Sequence, residues 1–246
     1  MMRDFRCKRT EKRSWGADRT AAFTLVELLV VMAIMAIVMA VTLPAIRSLQ
    51  EAYNLDAVSQ AVVGQLNTAR QAALGSSHPV QVRFYLMADY NGAASTSIFH
   101  PATTAVYRGI QCFQEGDPTT TSIPVTPITK PYFFPVPVII ASPGAISMSG
   151  ADVSSMLNSS YSGITVVGAS DPNNPLPPPY GSSYQYSYFR MRTNSRTDLS
   201  TASSANTTLT FVLETSASKA SATSLPPNYV TIELNSVTGG IHYYRP

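Results

Sequence analysis

The sequence predicts an α+β fold in which one long N-terminal α-helix packs on a globular head of antiparallel β-sheet. An apolar run covers residues 23–43, and apolar residues then recur mostly every three or four positions up to residue 73. After residue 79, apolar and polar residues alternate in short segments between clusters of Gly, Pro, Asn and Ser. We therefore divide the 246 residues into a basic leader (1–22), a transmembrane helix (23–43), an amphipathic helix (44–75) and a β-rich head (76–246).

The charged residues are distributed unevenly along the chain. Seven basic and three acidic residues precede Phe23, whereas the remainder carries ten basic and eleven acidic residues. Proteins that bind nucleic acid neutralise phosphates with clustered Lys and Arg, and the chain after Phe23 has no such excess. This distribution disfavours nucleic-acid binding.

Residues 23–43 are interrupted only by Thr24, Glu27 and Thr42. A helix of this length rises about 30 Å, which matches the hydrocarbon core of a bilayer. Because the basic residues of the leader all precede this segment, the positive-inside rule places the leader in the cytoplasm and the head outside it. The sequence thus predicts a single-pass membrane protein.

Three alternatives remain for this segment: a secretory signal peptide, a plain signal anchor and a buried core helix. A signal peptide has an apolar region of roughly 7–15 residues before a small-x-small cleavage site, and "VTLPA" matches that site poorly. A plain anchor has no need of Glu27, because a carboxylate costs about 2.5–3.5 kcal/mol at the bilayer centre. Such a carboxylate is expected to have a cationic partner.

The stretch "FTLVELLVVMAIMAIV", preceded by a short basic leader and a small residue, resembles the class III signal of type IV prepilins and type II secretion pseudopilins. The resemblance implies that a prepilin peptidase cuts after Ala22 and methylates the new amino terminus on Phe23. It also implies that Glu27 pairs with the N-terminal ammonium of a neighbouring pilin or pseudopilin subunit. Pro44 falls where the family commonly has a helix-bending proline.

The family prefers glycine before the cut, and this chain has Ala22 there. The nearest glycine, Gly16, would start the mature chain with "ADRTAAF", which matches nothing in the family, so we place the cut after Ala22. The resemblance further implies insertion in the inner membrane with an extracytoplasmic head, followed by assembly into a filament or pseudopilus.

Beyond Pro44 the pattern predicts an amphipathic continuation of the helix, so that the whole helix runs from about Thr24 to Leu74. The segment "GSSHP" then supplies a stop. The apolar face of the amphipathic helix comprises Ile46, Leu49, Leu55, Val58, Val62, Leu66, Ala69 and Ala73.

Alternation and turn residues predict the strands of the head. Because prolines 131, 135 and 137 cannot donate ladder hydrogen bonds, their segment is predicted to be an edge strand or an irregular extension. The last two strands should form a hairpin around "NSVTGG". The Pro-rich stretch 169–183 is predicted to be a loop. The predicted strands are 80–86, 105–113, 132–141, 163–168, 184–192, 207–214, 229–234 and 240–244.

Two weaker resemblances concern the subgroup. The stretches "QLNTARQAALGSSHPVQVRFYL" and "YVTIELNSVTGGIHYY" resemble minor pseudopilin H and its fimbrial T relatives, although Gly240 stands where that group usually has Arg. The stretch "FTLVELLVVMAIMAI" is also similar to the prepilin-like cassette proteins of Verrucomicrobia.

Signatures of catalysis are missing from the sequence. The three histidines have no HExxH or Cys-x-x-Cys context, and there is no GxSxG, phosphate loop or dinucleotide fingerprint. We predict no metal, no cofactor and no enzymatic activity. Cys112, the one cysteine outside the leader, lies in an apolar alternation and is expected in the core rather than as a nucleophile.

One segment combines aromatic and basic residues: Tyr186, Tyr188, Arg190 and Arg192. These side chains could stack on and neutralise a strand of DNA, or they could be ordinary strand residues with solvated arginines; we favour the second reading. The leading hypothesis is a structural subunit, a minor pilin or pseudopilin. The alternatives are a DNA-uptake or adhesive pilin and, third, a membrane-tethered enzyme.

Overall fold

The computed structural model describes residues 23–87, 106–117, 123–141, 147–148, 151–152, 154–157, 165–167, 171, 173–177, 184–199, 206–213, 226 and 228–245. The leader and Ala22 lie outside these residues. The chain forms two compact units, residues 1–46 and residues 47–246, and each is described by itself below.

A single helix, α1 (Leu25–Gly75), begins and ends within one residue of the predicted bounds. Pro44 lies inside it, where the missing N–H leaves one carbonyl of the preceding turn without its helical donor. The Thr42 hydroxyl donates to the Val38 carbonyl at 3.0 Å, a contact that often accompanies helix bending. The bend at Pro44 stays a prediction.

In the first unit, the large apolar side chains from Phe23 to Leu43 are exposed. The helix is long and apolar enough to cross a membrane. Soluble monomers rarely expose a contiguous apolar surface of this extent, so this part of α1 requires lipid or protein around it.

In the second unit, the buried face of α1 starts later than predicted. Six of the expected residues are fully buried, but Leu49 is 72% exposed, and Ile46, in the first unit, is exposed as well. The prediction was wrong for these two because periodicity identifies an apolar face but not what covers it. The buried six are Leu55, Val58, Val62, Leu66, Ala69 and Ala73.

The strands of the head are short and antiparallel. In chain order they are β1 (Val80–Met87), β2 (Val106–Glu115), β3 (Val125–Pro127), β4 (Tyr132–Phe133), β5 (Val138–Ile140), β6 (Ser147–Met148), β7 (Ala151–Asp152), β8 (Thr165–Val167), β9 (Gln185–Met191), β10 (Asn206–Leu213), β11 (Tyr229–Asn235) and β12 (Ile241–Tyr244). A 3-10 turn spans Ser155–Leu157.

Two sheets contain most of these strands. The first has the order β3-β2-β1-β9-β8, with β4 also paired to β2, and the second has the order β12-β11-β10-β5. Strands β6 and β7 pair only with each other among the described residues. The inner faces of both sheets share one core with the buried face of α1, which confirms the predicted α+β arrangement of a long helix packed on antiparallel sheet.

The predicted strand at 132–141 is two strands. Its proline-rich centre cannot supply ladder donors, so β4 pairs with β2 in the first sheet and β5 becomes an edge strand of the second. Strand β3 was not predicted, because its three residues lie in a proline-rich stretch. The final hairpin of β11 and β12 is confirmed.

The turn of that hairpin depends on Gly239. Its φ is +66°, and a Cβ there would lie 2.4 Å from the Ser195 carbonyl oxygen, so both backbone conformation and space exclude a side chain. The same turn contacts the helix, because Arg70 Nη2 donates to the Thr238 carbonyl at 3.2 Å.

We expect Gly239→Ala to lower the free energy of unfolding by about 2 kcal/mol or more, through strain and steric overlap. The matched control is Gly64→Ala on the exposed side of α1, where a Cβ meets nothing within 4 Å; it should be stabilising by about 0.5–1 kcal/mol. Urea unfolding of the full chain in micelles measures both. Equal stabilities for the two variants would contradict this account of the turn.

Candidate functional site

The start of α1 is fixed by a reciprocal pair of side chains, Thr24 and Glu27. The Glu27 N–H donates to Thr24 Oγ1 at 3.2 Å, while Glu27 Oε2 accepts from the Thr24 N–H at 3.0 Å and from the Thr24 hydroxyl at 2.9 Å. This is a capping box, which satisfies two of the N–H groups that a helix leaves without partners.

The capping box gives Glu27 a role within the single chain. A carboxylate in the first turn also interacts favourably with the helix dipole. The T-x-x-E spacing of Thr24 and Glu27 is a local sequence signal for this cap, in addition to the charge of Glu27 in an apolar segment. Its other oxygen, Oε1, accepts no hydrogen bond from the residues that the structure describes.

Phe23, the predicted new amino terminus, directly precedes the cap and is exposed. The predicted cut therefore falls next to the first turn of the helix. Ala22, on the other side of that bond, lies outside the described residues.

The second candidate site lies on the outer face of the first sheet, where β9 runs beside β1. Tyr186 is opposite Tyr85, Tyr188 is opposite Arg83, and Arg190 is opposite Gln81. Alternate residues of a strand share a face, so these side chains are neighbours. Arg192 follows the end of β9 and is exposed.

Arg83 is a buried charge on this face, at 3% exposure. Its Nη1 donates to Asp171 Oδ2 at 2.9 Å and its Nε donates to Gln81 Oε1 at 3.1 Å. The guanidinium lies 4.1 Å from the ring centroid of Phe113 and 4.5 Å from that of Tyr186. Charge, hydrogen bonds and cation–π contacts together offset its desolvation.

Arg190 is also paired with carboxylates. Its Nε donates to Glu115 Oε1 at 2.5 Å, and its Nη1 lies 3.9 Å from Asp198 Oδ2. Its guanidinium lies 5.5 Å from the ring centroid of Tyr188. The charge of Arg190, which the alternative interpretation assigned to a ligand, is therefore neutralised largely within the protein.

The favoured interpretation of residues 186–192 was that they are ordinary strand residues with solvated arginines. Arg192 is exposed, but the neighbouring strand β1 is covered on the same face. Gln81, Arg83 and Tyr85 are all buried, because residues of the predicted Pro-rich loop contribute to a second hydrophobic cluster through Leu176 and pair with Arg83 through Asp171. No local pattern indicates a contact between residues so far apart in sequence.

A cleft of about 590 Å³ remains on this face. Its lining comes from β1, β9 and two loop segments. The lining residues include Arg83, Tyr186, Tyr188, Arg190, residues 123–125, Asp171, Asn173 and Asn174. Tyr186 is 7% exposed, and burial raises the pKa of its hydroxyl, so its ring is neutral at physiological pH.

Cys112 lies in the core, as expected. Burial raises the pKa of its thiol to about 12, which leaves almost no thiolate at neutral pH and makes it a poor nucleophile. Among the residues that the structure describes, no group of three His, Cys, Asp or Glu side chains is placed to hold a metal ion.

We expect Asp171→Asn to lower the free energy of unfolding by about 3 kcal/mol, because it leaves Arg83 buried without its counter-charge. Asp117→Asn is the matched control, since that side chain is 93% exposed and its loss should cost about 0.5 kcal/mol or less. Chemical unfolding of the full chain at neutral pH measures the difference.

The effect of Asp171→Asn should also depend on pH. Burial alone would raise the pKa of the Asp171 carboxyl, but hydrogen bonds from Arg83 and Asn174 outweigh it and hold the pKa below its ordinary value of 3.8. The Asp171 carboxylate therefore stabilises the folded state fully above its unfolded-state pKa, and this stabilisation is lost as the pH falls through its folded-state pKa. If the difference in free energy of unfolding between wild type and Asp171→Asn were the same at about pH 2 as at neutral pH, this explanation would be contradicted.

Comparison with known proteins identifies the N-terminal segment. Residues 18–43 match the prokaryotic N-terminal methylation motif. No curated protein and no solved structure matches the chain. The chain thus carries the class III signal typical of type IV pilins and pseudopilins, which implies processing by a prepilin peptidase, on a pilin-like arrangement of helix and antiparallel sheet.

Proposed function

We propose that this chain is a structural subunit, a minor pilin or pseudopilin, of a type IV pilus-like or type II secretion filament. A prepilin peptidase removes the leader by cutting between Ala22 and Phe23 and then methylates Phe23. The observation that carries this proposal is the methylation motif over residues 18–43, located at the start of a helix whose apolar side chains are exposed.

The exposed apolar surface supports a single pass through the inner membrane. The basic leader keeps the N-terminus in the cytoplasm, so that the head is extracytoplasmic. In the filament, the same apolar surface packs against the helices of other subunits.

Glu27 supports assembly because its two oxygens can serve different partners. Oε2 belongs to the capping box, and Oε1 is available for the ammonium of Phe23 in a neighbouring subunit. In an apolar environment an ion pair is far more favourable than two isolated charges. The pairing therefore favours subunits that insert beside one another in register.

We propose, as a finer assignment, a relationship to minor pseudopilin H and its fimbrial T relatives, on the resemblance of two stretches of sequence. The two stretches that carry this resemblance are far apart in sequence, yet Arg70 of the first donates to the Thr238 carbonyl of the second. The two stretches therefore lie side by side in this fold.

The rival functions have less support. A DNA-uptake role needs cations that are available to phosphates, whereas Arg83 and Arg190 are paired with carboxylates. A membrane-tethered enzyme needs a nucleophile or a general base, and the buried Cys112 thiol does not supply one.

Intact mass and N-terminal sequencing of the protein from a peptidase-positive host test the cut. We expect a chain that starts at N-methyl-Phe23. The control is the same chain from a peptidase-deficient host, which should keep the leader. Retention of the leader in both hosts, or a start beyond Pro44, would contradict the proposal.

Substitutions at Glu27 and Thr24 distinguish the role of Glu27 in capping the helix from its role in pairing with the neighbouring ammonium group. Glu27→Gln keeps an acceptor for the capping box but loses the charge, and Glu27→Ala loses both. Thr24→Ala weakens the cap by about 1 kcal/mol but keeps the carboxylate. Insertion into the membrane should be normal in all three.

We expect both Glu27 variants to be incorporated into filaments about tenfold less than wild type, if pairing contributes about 1.4 kcal/mol per contact. Thr24→Ala should assemble nearly normally. Quantitative immunoblots of sheared filaments measure this. Normal assembly of Glu27→Gln together with failure of Thr24→Ala would assign Glu27 to capping alone.

A further inference from the structure

The cleft on the outer face of the first sheet is not lined by Phe23 or Glu27, the residues of the proposed assembly contact. Its volume of about 590 Å³ falls within the range of about 300–1,000 Å³ that is usual for small-ligand sites. Its lining includes the buried side chains of Gln81 and Arg83 on β1, which are hydrogen-bonded to each other and to Glu115 and Asp171.

The charges of the cleft oppose a phosphate ligand. Arg83 is paired with Asp171, and Arg190 is paired with Glu115 and approached by Asp198. Because each guanidinium already faces a carboxylate, an anionic ligand would compete with these carboxylates and gain little. The cleft therefore favours a ligand without net negative charge.

Several polar groups of the cleft are nevertheless available. Within the part of the chain that the structure describes, no hydrogen bond occupies the Tyr186 and Tyr188 hydroxyls or the Asn173 side-chain amide. Hydroxyls and amides both donate and accept. These groups would suit a ligand that carries hydroxyl groups, because a hydroxyl also donates and accepts hydrogen bonds.

The same cleft has an apolar component. Ile123, Pro124 and Val125 line it together with the half-buried ring of Tyr188. A ligand that suits this lining must present C–H groups as well as hydroxyls. Pyranose rings have this combination, with apolar ring faces and a polar rim.

We propose that the cleft binds neutral pyranose units of a polysaccharide, with a ring face against Tyr188 and hydroxyl groups hydrogen-bonded to Asn173 and Tyr186. The head would then contact glycan in addition to any role in a filament. This inference does not rest on cleavage at Ala22 or on assembly, so it can fail or succeed independently of them.

The test uses the full chain in lauryldimethylamine oxide micelles, because maltoside and glucoside detergents would compete for the cleft. Maltotetraose, cellotetraose and N-acetylchitotetraose are titrated by saturation-transfer NMR. We expect at least one to bind, with an affinity that changes less than about twofold between about 50 and 500 mM NaCl, since no net charge is neutralised.

Tyr188→Ala and Asn173→Ala should each weaken that binding about tenfold, as expected for an aromatic and a polar anchor. Tyr53→Ala is the matched control for the first, because Tyr53 is exposed on α1 and does not line the cleft. Asn173 is exposed in a loop, so this variant tests the cleft even if Tyr188→Ala fails to fold.

Three results would overturn the proposal. One is that none of the three tetrasaccharides binds at millimolar concentration. Another is that binding is unchanged in Tyr188→Ala and Asn173→Ala. The third is that single-stranded oligo-dT binds in the cleft instead, with an affinity that falls steeply with salt and with either variant.

Discussion

The rest of the structure depends on the burial of one face of α1 against the inner faces of both sheets. Leu55, Val62 and Leu66 are fully buried there, and each buried side chain of this size stabilises the fold by about 1.5–3 kcal/mol. The two sheets share this core rather than two separate ones. Because α1 also contains the exposed apolar residues from 25 onward, one continuous helix joins a protein core to a segment that requires lipid or other subunits.

Local patterns in the sequence were sufficient for much of this fold. The ends of α1 and the final hairpin follow from apolar spacing and turn residues, which act over a few positions. The exposure of Leu49 and the burial of Arg83 do not, because both depend on which distant segment covers them. The capping box of Thr24 and Glu27 does have a local signal, the T-x-x-E spacing, but the same glutamate was interpreted only as a charge within the membrane.

The structure changes the interpretation of both candidate sites. At the N-terminus, Glu27 stabilises the helix start with one oxygen, and assembly can use the other, so capping and pairing are compatible. On the sheet, Tyr186, Tyr188 and Arg190, which were considered as a possible ligand contact, line a cleft in which Arg190 and Arg83 are paired with carboxylates. In both places the hydrogen-bond partners of a charged side chain, rather than its presence in the sequence, determine which ligand it can accept.

In the proposed function, this chain leaves the membrane as part of a filament. Mass spectrometry of sheared filaments from peptidase-positive and peptidase-deficient cells tests this most directly. We expect peptides of the head to occur in the filament fraction of the first strain and to be missing from that of the second. Equal retention of the chain in the membrane fractions of both strains, with none in filaments, would contradict it.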